Sequence, residues 1–575
     1  MELANIDWII IVAFFALSLG ISLKYRASSG KDMKSFFLGG GKLPWYLAGI
    51  SMVATTFAAD TPLAVTEIVK NDGISGNWLW WNFLAGGLLT TFFFAKLWKR
   101  SGVLTEAELI ELRYSGKPAR ALRGIKAVYL GLFMNVMIIG WVNVALVSIL
   151  SVFFGLDHFD ACLYTIGAMI FVSIYSSIGG LKGIIVTDSI QFILAMIGSL
   201  VLAYFVIHND AISGLDNLKA QLPEGSLNFL PTVSSDASDS LSLSPLSMLV
   251  YMGMMWWACW YPGAEPGGGG YIAQRMMSTK DENHAFWATL FFQIGHYVIR
   301  PWPWIITALA CIILYPEVSD ENFKLAYVYA IKDHLPVGIK GLLLTSFFAA
   351  YMSTISTQLN WGTSYLVNDL YKRFIKTKES EKHYVNMAQL FTFGLIIISG
   401  VLTFYIESIS AVWKFLMSCG AGLGLVLILR WYWQKINAWG EIVAMIAPAF
   451  CTIVFQFIEV EYEVGFIITV AITTISWIIT VNVTAPTATS IINQFIDKVQ
   501  PTGKWKTDSY QPDNSKLKYL VIAWLLSIIG VYAMLMGIGS MLFDSIQNGS
   551  LLLLLAGIVF FIIARMNKQK SLFTV

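Results

Sequence analysis

The sequence predicts an all-α protein that crosses a membrane many times. Of 575 residues, 56% are hydrophobic and 13% charged, with a mean hydropathy of +0.65, so the polar content is far below that of a soluble chain of this length. Long apolar runs recur, each near the roughly 20 residues that span a bilayer. They fall at about 5 to 24, 44 to 67, 77 to 98, 124 to 154, 159 to 178, 184 to 207, 245 to 263, 285 to 315, 336 to 367, 386 to 406, 409 to 430, 439 to 458, 463 to 482, 518 to 541 and 549 to 565, about fifteen spans.

Charge supports this count, because Lys and Arg collect in alternate loops on the cytoplasmic side. The segments with Lys24, Arg26, Lys31 and Lys34, Lys96 to Lys126, Arg275 and Lys280, Lys372 to Lys382, Arg430 and Lys435, Lys498 to Lys518, and Arg565 to Lys570 all fall on one side. The Asp- and Ser-rich stretch 208 to 244 falls opposite. This predicts an N-terminus outside and a cytoplasmic C-terminus. The first run follows Glu2 and Asp7 and precedes basic residues, the reverse of a secretory signal, so it is expected to be retained.

Other classes find little support. A net charge of +2 without a basic run gives no footing for nucleic acid. Cys162, Cys259, Cys311, Cys419 and Cys451 lie in apolar segments and form no CxxC pair, which argues against a disulfide framework or zinc. The largest polar stretches, 208 to 244 and 483 to 517, are too short to bury a core of their own.

Three segments carry polar chemistry inside apolar runs. WWACWYPGAEPGGGGYIAQR (256 to 275) holds two prolines and four consecutive glycines, which must interrupt a helix. The break points to a solute or gating site that includes Glu265, or equally to a packing kink. HYVIRPWPW (296 to 304) places Arg300 within a span, where it can clamp a solute carboxylate or neutralise Asp60 or Glu265. His296 reads as a hydrogen-bonded helix residue. Trp256, Trp257, Trp260, Trp302 and Trp304 offer faces on which a pyranose stacks, although many of the 21 Trp must be interface anchors. In FAAYMSTISTQLN (348 to 360), Ala350, Ser353, Thr354 and Thr357 share one helical face with Ser356 beside it. Such hydroxyls provide hard oxygen ligands for a small cation. The same spacing also serves back-bonding to the preceding turn or close helix packing.

The run GGLKGIIVTDSIQFILAMIGSLVLAY (179 to 204) resembles the signature of the sodium:solute symporter family, which includes sodium-coupled sugar, proline, pantothenate and sialic acid transporters. VLTEAELIELRYSGK (103 to 117), IAQRMMSTKDENHA (272 to 285), STISTQLNWGTSYLVNDLYKR (353 to 373) and WYWQKINAWGE (431 to 441) follow in the family's order. The resemblance implies a LeuT-like fold of two inverted five-helix repeats, at 44 to 207 and 245 to 432. An extra N-terminal helix lies within 1 to 30, the extracellular loop at 208 to 244, and about four further helices within 438 to 575.

It also implies sites. A first sodium site takes backbone carbonyls of Ala54 and Phe57, where the second span opens near Pro62, with Ala350, Ser353 and Thr354. A second takes Asp188 with Ser353, Ser356 and Thr357. An unpaired carboxylate inside a span is costly, so a bound cation is one account of Asp188, and a structural hydrogen bond the other. Two sodium ions would supply roughly 7 kcal/mol at 100 mV and a tenfold gradient. For the solute, the resemblance points to Thr56, Asp60, Thr61, Trp80, Asn82, Trp260, Glu265 and Arg300. Where sugar-transporting relatives have Glu-Trp-Asn on the second repeat helix, this chain has Trp80, Trp81 and Asn82, and Thr61 replaces their His. Simple equivalence with a galactose transporter is therefore not expected.

The function implied is secondary active, sodium-coupled symport of a sugar or sugar acid, with an amino acid or other small organic acid as the alternative. The expected setting is a bacterial plasma membrane, with membrane lipid around the chain, no nucleic acid and no obligatory protein partner. A membrane enzyme would need a further set of acid, base or nucleophile groups that the sequence does not offer. A solute sensor would append a signalling module, and about ten residues follow the last run.

Overall fold

The computed structural model describes residues 3–233, 242–261, 263–406, 409–506, 512–570 and 572. Residues 234–241 of the expected extracellular loop, Pro262 of the expected break, and residues 507–511, 571 and 573–575 of the C-terminal segment lie outside them. Among the described residues nearly everything ordered is helix, apart from a parallel pairing of Thr232–Val233 with Ser242–Leu243.

Among the described residues, ten helices are long and apolar enough to cross a membrane, or eleven if the bent pair Trp45–Thr55 and Asp60–Asp72 is one span. The expected count of about fifteen exceeds this for two reasons. The runs at 159 to 178 and 184 to 207 form one 50-residue element, His158–Ile207, broken in conformation at Gly180. The runs at 245 to 263, 409 to 430 and 439 to 458 contain only shorter helices.

The first helix, Asn5–Ser29, is built into the bundle. Ser29 Oγ donates to the Gly179 carbonyl at 2.5 Å. Gly180 has φ 54°, and a Cβ there would lie 2.9 Å from that of Ser29, so both the turn and the close approach require glycine. At its other end, Asp7 Oδ1 accepts from the backbone N–H groups of Gly338 and Gly341, each at 2.8 Å. Asp7 thereby satisfies free amides at the start of Ile339–Ser364, the helix that carries the hydroxyl ladder.

A buried charge network ties the connecting segments together. Lys126 Nζ lies 2.8 Å from both Glu106 Oε1 and Glu441 Oε1, and Arg430 reaches the same two carboxylates at 3.3 and 3.0 Å. Burial pushes the Glu106 carboxyl up, but Lys126 and Arg430 outweigh it and hold the group at about 2. Its second oxygen accepts from the Gly270 N–H at 3.0 Å, fastening the start of Gly270–Ser278.

Candidate functional site

The split helix opens over Thr56 to Ala59, with a 58° bend between its halves. Carbonyls there have lost their helical partners and take side chains instead. Val53 O accepts from Thr56 Oγ1 at 3.0 Å, Thr55 O from Thr354 Oγ1 at 3.0 Å, and Thr56 O from Arg300 at 2.6 Å. Pro62, which has no N–H to leave unpaired, sits in the first turn of Asp60–Asp72. The hydroxyl ladder lies wholly buried across this opening. Thr354 Oγ1 also reaches the Ala350 carbonyl one turn back at 3.3 Å, Ala350 lines a small cavity with Phe57 of the break, and Ala54 lies in the last turn of Trp45–Thr55. Ser353 turns elsewhere, donating to Asp188 Oδ1 at 2.8 Å.

Asp188 is not unpaired. Ser51 donates to its other oxygen at 2.6 Å, and the guanidinium of Arg275 lies 3.8 Å from that oxygen, both charged side chains being fully buried. Arg275 further donates to Thr357 Oγ1 at 2.6 Å, Ser51 Oγ at 3.3 Å and Gln274 Oε1 at 2.8 Å. Ser356 bonds back to the Ser353 carbonyl at 3.1 Å. The expectation that Arg275 belongs to a solvated basic loop is thus corrected. The preceding Gly-rich turn folds it inward, and a carboxylate in low dielectric holds it there. Its position beside Gln274 in the recognised segment was the one available signal.

Beside the break a cavity opens. Of the residues expected to bind solute, Thr56, Asp60, Thr61, Trp80 and Arg300 line it. Asn82, Trp260 and Glu265 do not. Asn82 turns its amide back to the carbonyls of Trp78 and Leu79, at 3.0 and 2.8 Å. Trp260 packs under Gly420, whose carbonyl accepts its backbone N–H at 3.1 Å. Glu265 is buried against Gly269 and Gly270. Trp256, Trp257, Trp302 and Trp304 are likewise absent from the lining, which instead uses Trp141 and Trp413. Trp80 stacks on Tyr297 with centroids 5.9 Å apart, and Phe83 on Tyr261 at 5.6 Å. These rings, distant in sequence, come together only through packing. Gln358, also in the lining, was legible as the next step of the ladder, four residues beyond Thr354.

Arg300 forms no salt bridge within 4.0 Å among the described residues, although its charge and that of Asp60 act on one another. Besides the Thr56 carbonyl, it contacts His296 Nε2 at 3.1 Å and lies over the faces of Trp80 and Trp304, 5.9 and 5.3 Å from their centroids. Because arginine only donates, His296 must accept at Nε2 and carry its proton on Nδ1, which faces Thr56 Oγ1 at 2.9 Å. Arg300 Nε and Asp60 Oδ1 have no partner although both are buried. Two residues of the cavity lining therefore each carry a buried polar atom without a partner, a donor on Arg300 and an acceptor on Asp60.

A split helix crossed by a hydroxyl-bearing helix, with a largely aromatic cavity at the crossing, is the arrangement of a multi-pass membrane transporter of the LeuT-like class. The chain belongs to the sodium:solute symporter family, whose model matches residues 36–447. It is 23% identical over 475 residues to a sodium/glucose cotransporter of Vibrio parahaemolyticus, covering 77% of this chain and 84% of that one. It is 22% identical over 491 residues to sodium/glucose cotransporter 1 of Oryctolagus cuniculus, covering 77% and 71%. A solved structure of a sodium-coupled sialic acid symporter in a substrate-bound, outward-open state aligns with TM-score 0.68 and 20% identity over 85% of this chain and 99% of that one, which shows the shared fold. As a member of this family the protein is a sodium-coupled symporter and not an enzyme, and its cargo is a solute together with sodium.

Proposed function

We propose that the protein carries one sodium ion with one small acidic sugar into the cell by alternating access. The observation behind the choice of solute is that Arg300 and Asp60, each with a buried polar atom lacking a partner, both line one aromatic cavity. A carboxylate satisfies the first, a hydroxyl the second, and the rings stack on the apolar face of a pyranose. The Asp60 acceptor equally suits an ammonium group, which keeps an amino acid as the second reading.

Ala54, Phe57, Ala350 and Thr354 are the sodium ligands in this proposal, joined by Ser353 when its hydroxyl turns from Asp188 toward the ion. The set at Asp188, Ser353, Ser356 and Thr357 is read as already charge-compensated by Arg275, which revises the expectation of two ions. Thr56, Thr61 and Trp80 complete the solute site. The five-helix repeats at 44–207 and 245–432, the extracellular loop at 208–244, a cytoplasmic C-terminus and a bacterial plasma membrane complete the reading. In that orientation the cavity, bounded by Ala64 and Ile68 beyond the break, lies toward the outside. Sodium binding would favour one of the two conformations, because an ion drives transport only by binding them unequally.

The test is thermal stability of purified protein in sodium against potassium, with uronic acids, neutral sugars and amino acids. Stabilisation that needs sodium together with a uronic acid, and is lost in Arg300→Gln, is expected. Equal stabilisation by the neutral parent sugars would remove Arg300 from the site. No response to sodium in a protein that still melts cooperatively would overturn the sodium ligand assignment.

A further inference from the structure

A second cleft lies between Asn5–Ser29, His158–Ile207 and Glu381–Thr403, three of the apolar helices whose outer faces are exposed. At its rim stand Arg26, Lys31 and Lys382, all exposed. None forms an ion pair or a side-chain hydrogen bond among the described residues. Neighbouring acids are engaged elsewhere. Asp32 accepts from the Ser35 N–H at 2.6 Å, and Glu381 accepts from Lys372 at 3.0 Å and the Met33 N–H at 3.1 Å.

Polarity falls off along the cleft in a fixed order. On Glu381–Thr403, the cleft residues Lys382, Asn386, Gln389 and Phe393 recur at helical spacing on one face, over about 16 Å of helix rise. The first helix repeats this change, with Arg26 at the rim and Leu23 one turn deeper. Leu23, Ile174 and Phe393 are 50%, 41% and 42% exposed, an apolar wall facing the acyl region of a bilayer. Cations, then amides, then hydrocarbon complement, in the same order, the phosphate, ester linkages and acyl chain of a phospholipid.

We infer that this cleft binds an anionic phospholipid, with its phosphate at Arg26, Lys31 and Lys382 and an acyl chain along Leu23, Ile174 and Phe393. A zwitterionic headgroup brings its own ammonium to the three cations and gains little. A soluble phosphate satisfies the cations but leaves the apolar wall uncovered. The bound lipid joins the first helix to Glu381–Thr403 across the segment that holds Lys31. That segment leads into Met33–Leu38, where the Phe36 carbonyl accepts from Asn360 on the hydroxyl helix at 3.4 Å.

The test uses full-length protein stripped of lipid, titrated with phosphatidylglycerol, phosphatidylcholine or inorganic phosphate and read by native mass spectrometry and melting temperature. Phosphatidylglycerol should bind and stabilise, and the combined Arg26→Gln, Lys31→Gln, Lys382→Gln variant should bind it about a hundredfold more weakly, given the contribution of each cation at a membrane surface. A charge-matched control, Lys117→Gln, Lys280→Gln, Lys378→Gln, should bind as the wild type does. Asn386→Trp, which fills the cleft and keeps its charge, should also expel the lipid, so the inference does not depend on one variant folding. Unchanged phosphatidylglycerol binding in the cleft variants, equal loss in the control, or full displacement of the lipid by inorganic phosphate would each overturn it.

Discussion

Arg275 is the residue on which the ion count turns. Its guanidinium lies among Asp188, Ser51 and Thr357, and in the proposed one-ion reading it takes the place of a second sodium's charge. Removing it leaves a buried carboxylate uncompensated, which makes cation capture the cheapest remedy. Arg275→Gln is therefore expected to raise the number of sodium ions taken up, read as the limiting slope of stabilisation free energy (in RT) against ln[Na+], from about 1 to about 2, while Asp188→Asn combined with it returns the slope to about 1. A slope of about 2 in the unaltered protein would overturn the one-ion reading. If Thr354 is a ligand of the proposed first site, Thr354→Ala should weaken sodium at least tenfold, whereas Thr354→Ser should not. Sodium titration of the melting temperature reads all four variants.

Among the elements, the loop helix Glu106–Arg113 is the best test of how the non-cavity parts are held. Glu106 joins Lys126 and Arg430 and also fastens Gly270, so Glu106→Gln breaks a buried ionic cluster and should cost about 3 to 5 kcal/mol. Glu111→Gln, on the same helix but partly solvated between Arg123 and Arg373, should cost less than about 1 kcal/mol. Denaturation in detergent compares the two. The pH dependence has a definite sign. Glu106 is held near 2 against an ordinary value of 4.5, so its contribution is complete above about pH 4.5 and fades as the pH falls toward 2. Melting temperature should thus stay level between pH 7 and 5 and drop below about pH 4, with the drop reduced in Glu106→Gln.

For the whole molecule, stoichiometry decides what the membrane potential can do. One sodium carried with one monovalent sugar acid moves no net charge, so uptake into proteoliposomes should respond to the sodium gradient and not to voltage. A tenfold gradient then supports about tenfold accumulation. A zwitterionic solute with one sodium would move one charge and gain about 2.3 kcal/mol more per 100 mV. Inward current accompanying uptake of a uronic acid would mean that a second cation travels with it, and would return the Asp188 site to the sodium ligands.

Much of this protein was written locally. Composition and apolar run lengths determined a helical membrane protein, because a bilayer leaves a chain little other choice. The spacing of Ala350, Ser353, Thr354 and Thr357 placed them on one face, because helical geometry is a local rule, and the small, polar residues before Pro62 marked where a helix opens. Span count was less legible, since a glycine break or a short helix changes the number of elements without changing hydropathy. What tertiary structure alone decided is which groups meet. Arg275 reads as a loop cation until the fold carries it to Asp188, 87 positions away. Trp80, Tyr261, Tyr297 and Trp413 form one cavity wall although they lie in separate segments, while Asn82, Trp260 and Glu265 turn away from it. Periodicity fixes the face a residue shares along its own helix, but the partner opposite that face is chosen by long-range packing, where burial and charge compensation are settled together.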